Sequence, residues 1–274
     1  MFRSFVRKIV ASRLPGFARA YRTFRDERYA SRVEAHHTPF GFTLAGPPGM
    51  QDGSFEADEV GLVRRLLNDA DVVVDIGANI GFYTCMARQA GKQVVAVEPM
   101  RFNLDLLYRN LELNGWRDVE VWPLGLSNTP GIGTIYGART GASLMSSWAH
   151  NSELFRTSIS LTTLDDLLRG RFQGQHILVK IDVEGAEYDV LRGGLETLDR
   201  KIQPAWLVEI TLDINRKGLN PRFADTFQVF MDRGYRAYAT TPVQREVGVA
   251  DITGWIANGR VDSGCFNWLF LPGT

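Results

Sequence analysis

The stretch Asp75-Ile76-Gly77-Ala78-Asn79-Ile80-Gly81 decides the fold, because it follows an apolar run at residues 72–74 and precedes a helical pattern that begins at Phe82. This order predicts a strand, a glycine-rich turn and a helix. Glycines at such a turn allow positive φ and a close approach of a ligand to the backbone. The start of the helix offers unpaired N–H groups to an anionic group. The sequence therefore predicts a cofactor site at this turn.

Strands and helices alternate along most of the remaining chain. Strands rich in Val, Ile and Leu that alternate with helices predict a doubly wound, mostly parallel α/β sheet, buried on both faces. Strands are predicted near residues 72–76, 93–98, 119–124, 177–182, 206–211, 235–240 and 266–271. Helices are predicted near residues 56–68, 81–90, 101–114, 186–198 and 222–234.

Residues 126–165 interrupt this alternation. Their glycines and short β-type runs predict an antiparallel insertion in place of another crossover helix. The insertion either faces the substrate or is a purely structural hairpin. Upstream, a short strand is expected at residues 40–44.

The N-terminal region is basic. Residues 1–35 contain nine Lys or Arg and three Asp or Glu, a local net charge of +6, whereas the whole chain has net charge zero. Apolar spacing predicts one helix before Pro15-Gly16 and a second, basic amphipathic helix that ends before a loop near His36-His37. We interpret residues 1–54 as an extension with a lead-in strand, and residues 55–274 as the catalytic domain. The extension docks on that domain, or it contacts a membrane surface or a polyanionic substrate.

Composition excludes several classes of protein. A zero net charge argues against a nucleic-acid partner. The two cysteines, Cys85 and Cys265, are far apart and predict neither a disulfide framework nor a metal site. No apolar run is long enough for a signal peptide or a membrane span. The expected location is cytoplasmic, with peripheral contact to the inner membrane surface through the basic helices.

The spacing around the turn indicates which cofactor it binds. A dinucleotide fingerprint requires G-x-G-x-x-G, whereas this turn has Gly77 and Gly81 four residues apart with Asp75 just ahead. The pattern resembles the first motif of class I S-adenosylmethionine (SAM) methyltransferases. Glu98 ends the second strand, 21 residues after Gly77, where an acid accepts hydrogen bonds from ribose hydroxyls. Asp75 is expected to bind turn N–H groups and the amino end of the cofactor, and Asn79 either contacts the methionine moiety or caps the helix.

A second acidic turn follows the fourth main strand. The run Lys180-Ile181-Asp182-Val183-Glu184-Gly185-Ala186-Glu187 should place its strand end beside that of the first strand, at the topological switch point. Asp182 and Glu184 are then expected to face the cofactor. The structural alternative is an ion pair between Lys180 and Asp182, with Glu187 balancing the helix dipole. Glu209, at the end of the fifth strand, should also face the crevice.

Taken together, these motifs resemble the FkbM-type SAM-dependent methyltransferases over roughly residues 55–212. The resemblance rests on Val74-Asp75-Ile76-Gly77-Ala78-Asn79-Ile80-Gly81-Phe82-Tyr83-Thr84, Val97-Glu98-Pro99 with Asn103 and Asn110, Thr163-Leu164-Asp165-Asp166-Leu167, the run from Lys180 to Glu187, and Val190-Leu191-Arg192-Gly193. It implies a seven-stranded Rossmann-like fold and O-methylation of sugars or other hydroxylated natural products. The cofactor-binding residues predicted for SAM are Asp75, Gly77, Asn79, Gly81, Phe82, Glu98, Pro99, Asn103, Leu126 and Asp182.

The expected acceptor is a glycan or another hydroxyl-bearing small molecule. A protonated alcohol is a poor nucleophile, so a base should lie within hydrogen-bond reach. The candidates are Asp182, Glu184 and Glu209, with His150 behind them. Arg139, Trp148 and His150 are predicted to contact the acceptor. A divalent metal held by the three acids is a weaker alternative to direct contacts.

The sequence leaves three alternative functions. The methyltransferase could act on a polyketide or peptide natural product. An NAD-dependent oxidoreductase would need a G-x-G-x-x-G turn and a Tyr-x-x-x-Lys pair, and the sequence shows neither. A non-catalytic membrane or assembly module would not need the acids at positions 75, 98 and 182.

Overall fold

A computed structural model of the chain describes residues 15–137, 143–144, 156–214, 218–240 and 245–273. The helices in these ranges, numbered α1 to α10 in chain order, are Pro15–Arg32, Pro48–Asp52, Ala57–Leu66, Phe82–Gln89, Arg101–Leu113, Leu164–Leu168, Glu187–Arg192, Leu195–Leu198, Phe223–Met231 and Val249–Asn258. The strands, β1 to β13, are Ala35–His37, Thr43–Ala45, Val72–Ile76, Gln93–Val97, Glu120–Trp122, Gly125–Leu126, Gly131–Tyr136, Arg156–Thr162, Ile177–Ile181, Ala205–Glu209, Tyr235–Ala239, Glu246–Val247 and Asn267–Pro272.

The main sheet has the strand order β12-β11-β13-β10-β9-β3-β4-β5. The five strands from β10 to β5 pair in parallel, whereas β13, β11 and β12 pair antiparallel. This confirms the predicted doubly wound, mostly parallel sheet of Rossmann type. All seven predicted strands are present, and the two-residue β12 adds an eighth at the edge.

Two apolar layers cover the sheet, as the Val-rich strands predicted. Every residue of β3 is buried, and its side chains alternate between the two faces. Val72 and Val74 pack into a layer that contains Trp206, Phe230 and Phe270. Val73 packs on the opposite side. At about 1.5–3 kcal/mol for each large buried side chain, these layers supply most of the folding free energy.

The strand register places the carboxyl ends of four strands at one level. Ile76 of β3 pairs with Val97 of β4 and with Ile181 of β9, and Ile181 pairs with Val208 of β10. The next residue on each strand is therefore at the same edge of the sheet. β3 continues into β4 on one side and lies beside β9 on the other, so this edge is the topological switch point.

The predicted β insertion is present as a separate three-stranded sheet. In it, β7 and β8 pair antiparallel and β6 pairs in parallel with β8. The helix predicted over residues 186–198 is instead two helices, α7 and α8, separated by Gly193 and Gly194. A Cβ at Gly193 would lie 2.1 Å from the Ser127 carbonyl oxygen, so the insertion approaches too closely for a continuous helix with side chains there.

The N-terminal segment packs against α5. The Tyr29 ring of α1 lies 6.0 Å from the Phe102 ring, and Arg109 donates to the Ala30 carbonyl at 2.6 Å. The expected loop at His36 is wrong, because that residue pairs with Leu44 in the β1–β2 ladder. The predicted helix before Pro15 lies outside the described residues, and the boundary at residue 54 stays a prediction.

The buried amide of Asn110 joins three parts of this region. Its Oδ1 accepts from the Ala45 N–H at 2.7 Å, and its Nδ2 donates to the carbonyls of Ala45 and Ile80. One α5 side chain thus fixes strand β2 and the glycine-rich turn to the same helix. Within the part of the chain that the structure describes, no helix has the length and apolar composition to cross a bilayer.

Candidate active site

A cavity of about 440 Å³ opens at the switch point of the sheet. Its described lining comes from strand ends, from residues 47–56 (called the lead-in segment below), from the β insertion and from the loop before β13. These residues are Pro47, Gly49, Met50, Phe55, Glu56, Ile76, Gly77, Asn79, Val97, Glu98, Pro99, Met100, Asn103, Leu124, Gly125, Leu126, Ile135, Leu144, Ile159, Asp182, Val183, Glu184, Glu209 and Phe266. Ile135, Leu144 and Ile159 belong to the insertion, which therefore forms part of the cavity wall.

Four neighbouring strand ends form the cavity floor. Glu98 follows β4, Gly77 follows β3, Asp182 follows β9, and Glu209 ends β10. Since neighbouring strands lie about 4.8 Å apart, the floor runs about 15 Å from Glu98 to Glu209. It has one acid at the Glu98 end and a cluster of acids at the other end.

Gly77 is required by the contact between two strand ends. Its φ is 81°, and a Cβ placed there would lie 1.8 Å from the backbone oxygen of Asp182. The sequence led us to expect a glycine that admits a ligand. The structure gives a different reason, since the space beside Gly77 is filled by the β9 backbone.

Glu98 is held by backbone donors. One carboxylate oxygen accepts from the Asn79 N–H at 2.9 Å, and the other accepts from the Met100 N–H at 2.7 Å. The residue is 4% exposed. Burial raises the pKa of the Glu98 carboxyl to about 7, although these N–H donors oppose the increase. The carboxylate is therefore fixed in position at the cavity wall.

Asn79 presents an unused acceptor. It has φ of 54°, a conformation that Asn tolerates better than most residues. Its side-chain Oδ1 is buried and has no hydrogen-bond partner among the residues that the structure describes. A buried polar atom without a partner costs about 1–3 kcal/mol. A ligand that donates a hydrogen bond here would remove that cost.

Three predicted cofactor residues lie behind the cavity wall. Of the described residues that line the cavity, none is Asp75, Gly81 or Phe82. Asp75 is 1% exposed and accepts from the Thr84 hydroxyl at 2.6 Å. It therefore supports the start of α4, and its direct bond to a cofactor stays a prediction that this geometry does not favour. Phe82 packs edge-on against Phe55.

Lys180 lies beneath the acidic end of the floor. Its Nζ is 3.2 Å from Asp182 Oδ2, 3.7 Å from Glu59 Oε1 and 4.7 Å from the centre of the Tyr83 ring. Burial lowers the pKa of Lys180, but the surrounding carboxylates, Asp182 and Glu59 foremost, outweigh it and raise the pKa above its usual range. The predicted ion pair between Lys180 and Asp182 is confirmed, and Asp182 faces the cavity as well.

The other acids at this end bind protons more tightly than usual. Burial, together with the charges of Asp182 and Glu184, raises the pKa of Glu209 well above its ordinary range. Burial and the neighbouring Glu59 raise the pKa of Glu56 to about 7, and Glu56 accepts from the Tyr83 hydroxyl at 2.9 Å. Carboxyls so close together cannot all ionise cheaply. This end of the cavity therefore retains protons at neutral pH.

The family model described as the methyltransferase FkbM domain matches residues 75–237. That match spans more than half of the chain. The chain belongs to the FkbM methyltransferase family. The resemblance inferred from the motifs is thereby confirmed, and the matched range includes all three acidic strand ends, Glu98, Asp182 and Glu209.

Two curated relatives match this FkbM-family chain over part of its length. Methyltransferase 1 of Beauveria bassiana is 30% identical over 147 residues, which cover 46% of this chain and 59% of that protein. An uncharacterised protein of Methanocaldococcus jannaschii is 30% identical over 59 residues, covering 22% of this chain and 23% of that protein. The chain thus spans less than two thirds of either relative.

Solved structures of methyltransferases align weakly with this chain. A putative O-methyltransferase from Klebsiella pneumoniae aligns with a TM-score of 0.46 and 14% identity, covering 91% of this chain and 89% of that one. An O-methyltransferase from Bacillus cereus, in complex with SAH, aligns with a TM-score of 0.45 and 13% identity, covering 97% and 95%. Likenesses this weak carry no argument about activity.

The FkbM-family cavity includes residues that the sequence did not single out. Met50, Phe55 and Glu56 are such lining residues, whereas Glu59, on α3 with 5% exposure, supports the site without lining the cavity. One signal was present, since Glu59 shares a helix face with the buried apolar residues Leu62 and Val63. An acid on an apolar face needs a buried partner, which here is Lys180.

The predicted acceptor residues Arg139, Trp148 and His150 lie outside the described residues, so their contacts stay predictions. Among the residues that the structure describes, no group of three or more His, Cys, Asp or Glu side chains is arranged to hold a metal ion. Metal dependence likewise stays a prediction.

Glu187 gives this FkbM-family protein a pH-dependent stability. It is the first residue of α7 and accepts from the Gly185 N–H at 2.8 Å. Burial raises the pKa of Glu187 from its ordinary 4.5 to about 7. The folded state therefore holds the proton that the unfolded chain releases, and the free energy of unfolding falls as the pH rises from 4.5 to 7.

We expect Glu187→Gln to remove the Glu187 share of that fall, up to about 3 kcal/mol, and to keep the share due to Glu56 and Glu98, whose pKa values are also raised. Urea unfolding at pH 5 and at pH 8 measures it, with the exposed Glu112→Gln as the control that keeps the wild-type drop. An equal drop in the Glu187→Gln and wild-type proteins would contradict the assignment.

Proposed function

We propose that the protein is a SAM-dependent O-methyltransferase that acts on a hydroxyl of a glycan or of another hydroxylated small molecule. The observation that carries the proposal is the cavity floor. At one end of the floor lies Glu98, at the position where an acid binds ribose hydroxyls in nucleotide-binding folds. At the other end lie Asp182 and Glu209, and the whole floor is at the switch point of an FkbM-family fold.

The residues present fit SAM at the Glu98 end. Glu98 can accept from ribose hydroxyls, as acids do at the end of this strand in nucleotide-binding folds. The Asn79 Oδ1, which has no partner within the described part of the chain, suits an ammonium or a hydroxyl donor. Val97, Leu124 and Leu126 supply an apolar surface for a base. When bound, SAM supplies an electrophilic methyl group on a positively charged sulfur.

Asp182 is the candidate base. It hydrogen-bonds to Lys180 through one oxygen, and about a third of its side chain remains exposed at the cavity. Asp182 would take the hydroxyl proton while the acceptor oxygen receives the methyl group that bound SAM would supply, with the sulfur keeping the electron pair of the broken carbon–sulfur bond. Glu209 suits this task less, because it already holds a proton at neutral pH.

The acidic end also favours the proposed acceptor class. An ionised carboxylate can accept hydrogen bonds but cannot donate them. Asp182 and Glu184 therefore suit a molecule rich in hydroxyl donors. A sugar meets this requirement, and so does a hydroxylated polyketide or peptide. A panel of hydroxylated acceptors, assayed for SAM consumption, distinguishes these substrates.

SAM binding is the first test. Wild-type protein should bind SAM in a calorimetric titration, and Glu98→Gln should bind about 10- to 100-fold more weakly, because a hydrogen bond to a charged group is lost. The exposed Glu112→Gln serves as the matched control. Binding of NAD without binding of SAM would overturn the proposal in favour of an oxidoreductase.

A further inference from the structure

The outer face of α1 is a surface that methyl transfer does not explain. It is defined by Tyr21, Phe24, Arg25, Arg28 and Arg32. At about 100° per residue, these five side chains fall within an arc of about 100° on the helix. Tyr21 and Phe24 are 58% and 59% exposed, and all three arginines are exposed as well.

The opposite side of α1 is fixed to the protein. Asp26 is 8% exposed, the Tyr29 ring packs on Phe102, and the Ala30 carbonyl accepts from Arg109. These contacts determine which way the helix is turned. The outer face is therefore held toward the surroundings of the protein.

We propose that the outer face of α1 docks the protein on an anionic lipid bilayer. Aromatic rings with a basic border are the composition of helices that lie in a membrane interface, where the rings enter the headgroup region and the charges contact anionic lipid. Tyr suits this position because its ring is apolar and its hydroxyl stays hydrated.

Charge supports a lipid over a second copy of the chain. The outer face carries three arginines, of which Arg25 is also paired with Asp26 at 3.1 Å. Two copies of this face would bring like charges together. Residues 1–14 contain four more Lys or Arg and no Asp or Glu, so the sequence that precedes α1 is basic as well.

Vesicle co-sedimentation of the full chain tests the docking. Wild-type protein should bind phosphatidylcholine vesicles that contain phosphatidylglycerol, bind pure phosphatidylcholine weakly, and dissociate as salt is added. Replacing Arg25, Arg28 and Arg32 by Gln should weaken partitioning about 10- to 100-fold. Tyr21→Ser with Phe24→Ser should weaken it on both kinds of vesicle.

Matched controls test whether vesicle binding depends on the outer face itself, and not on positive charge or apolar side chains elsewhere on the surface. Arg64→Gln on α3 and Ile132→Ser on β7, which is 84% exposed, should bind vesicles like the wild type. SAM binding and the circular dichroism of every variant show that it is folded. Unchanged vesicle binding by the arginine variant would overturn the proposal. So would a wild-type dimer that the aromatic variant converts to a monomer, because the face would then be a self-interface.

Discussion

Replacing Asp182 by asparagine should lower kcat for methyl transfer by about 100- to 10,000-fold, the usual worth of a positioned general base. Asparagine keeps the shape of the side chain and can still contact Lys180 through its oxygen, but it cannot take the acceptor proton. SAM affinity should change by less than about tenfold, since any hydrogen bond from SAM to this side chain would then end on a neutral amide instead of a charged carboxylate.

Single-turnover kinetics with a competent hydroxyl acceptor measures this loss, and calorimetry measures SAM binding separately. Asp225→Asn is the matched control, because Asp225 is an exposed partner of Arg222 on α9. Glu209→Gln should cost less than Asp182→Asn, since Glu209 already carries a proton in the free protein. Wild-type kcat in the Asp182→Asn protein would remove Asp182 as the base.

Gly77→Ala should destabilise the fold by at least about 3 kcal/mol, or prevent folding. Two penalties combine at this position. A side chain at φ of 81° costs about 1–2 kcal/mol. The new Cβ would also lie 1.8 Å from the Asp182 carbonyl oxygen, which forces the ends of β3 and β9 apart in a closely packed core.

Gly91→Ala separates the two penalties. Gly91 has φ of 76°, and a Cβ there would meet no atom of the described segments within 4 Å. It should therefore lose only the backbone part. Urea unfolding of the three proteins gives the comparison, and SAM titration follows the cavity, whose floor contains both strand ends. Equal stability of the two variants would show that the ends of β3 and β9 can move apart with no loss in the free energy of unfolding.

The sheet and the cofactor end of the cavity could be predicted because they depend on local pattern. Buried parallel strands require apolar runs such as residues 72–74, and a strand-terminal acid such as Glu98 has a fixed distance from the turn. Because the carboxyl ends of parallel strands lie at one edge of the sheet, the strand assignment alone places Asp182 and Glu209 at the same edge as Glu98.

The remaining features depend on contacts between distant segments. The strand alternation did not indicate that Gly193 meets the Ser127 carbonyl, or that Glu59 pairs with Lys180 across the interior. The raised pKa of Glu209 also depends on distant segments. It results from burial and from two acids, Asp182 and Glu184, at the end of a neighbouring strand. The position of Asp75 in the motif likewise gives no measure of its depth, 1% exposed, and its contact with the cofactor stays a prediction.

Asn110 determines a dimension of the cavity that it does not line. Its amide holds Ala45, two residues before the lining residue Pro47, and also Ile80, the neighbour of Asn79. The distance between the lead-in wall and the glycine-rich turn is therefore set by the length of one buried side chain. An aspartate or a glutamine at this position would alter the width of the opening without touching any bound molecule. The range of ligand sizes that the cavity admits thus depends in part on a buried side chain of α5 that does not line it.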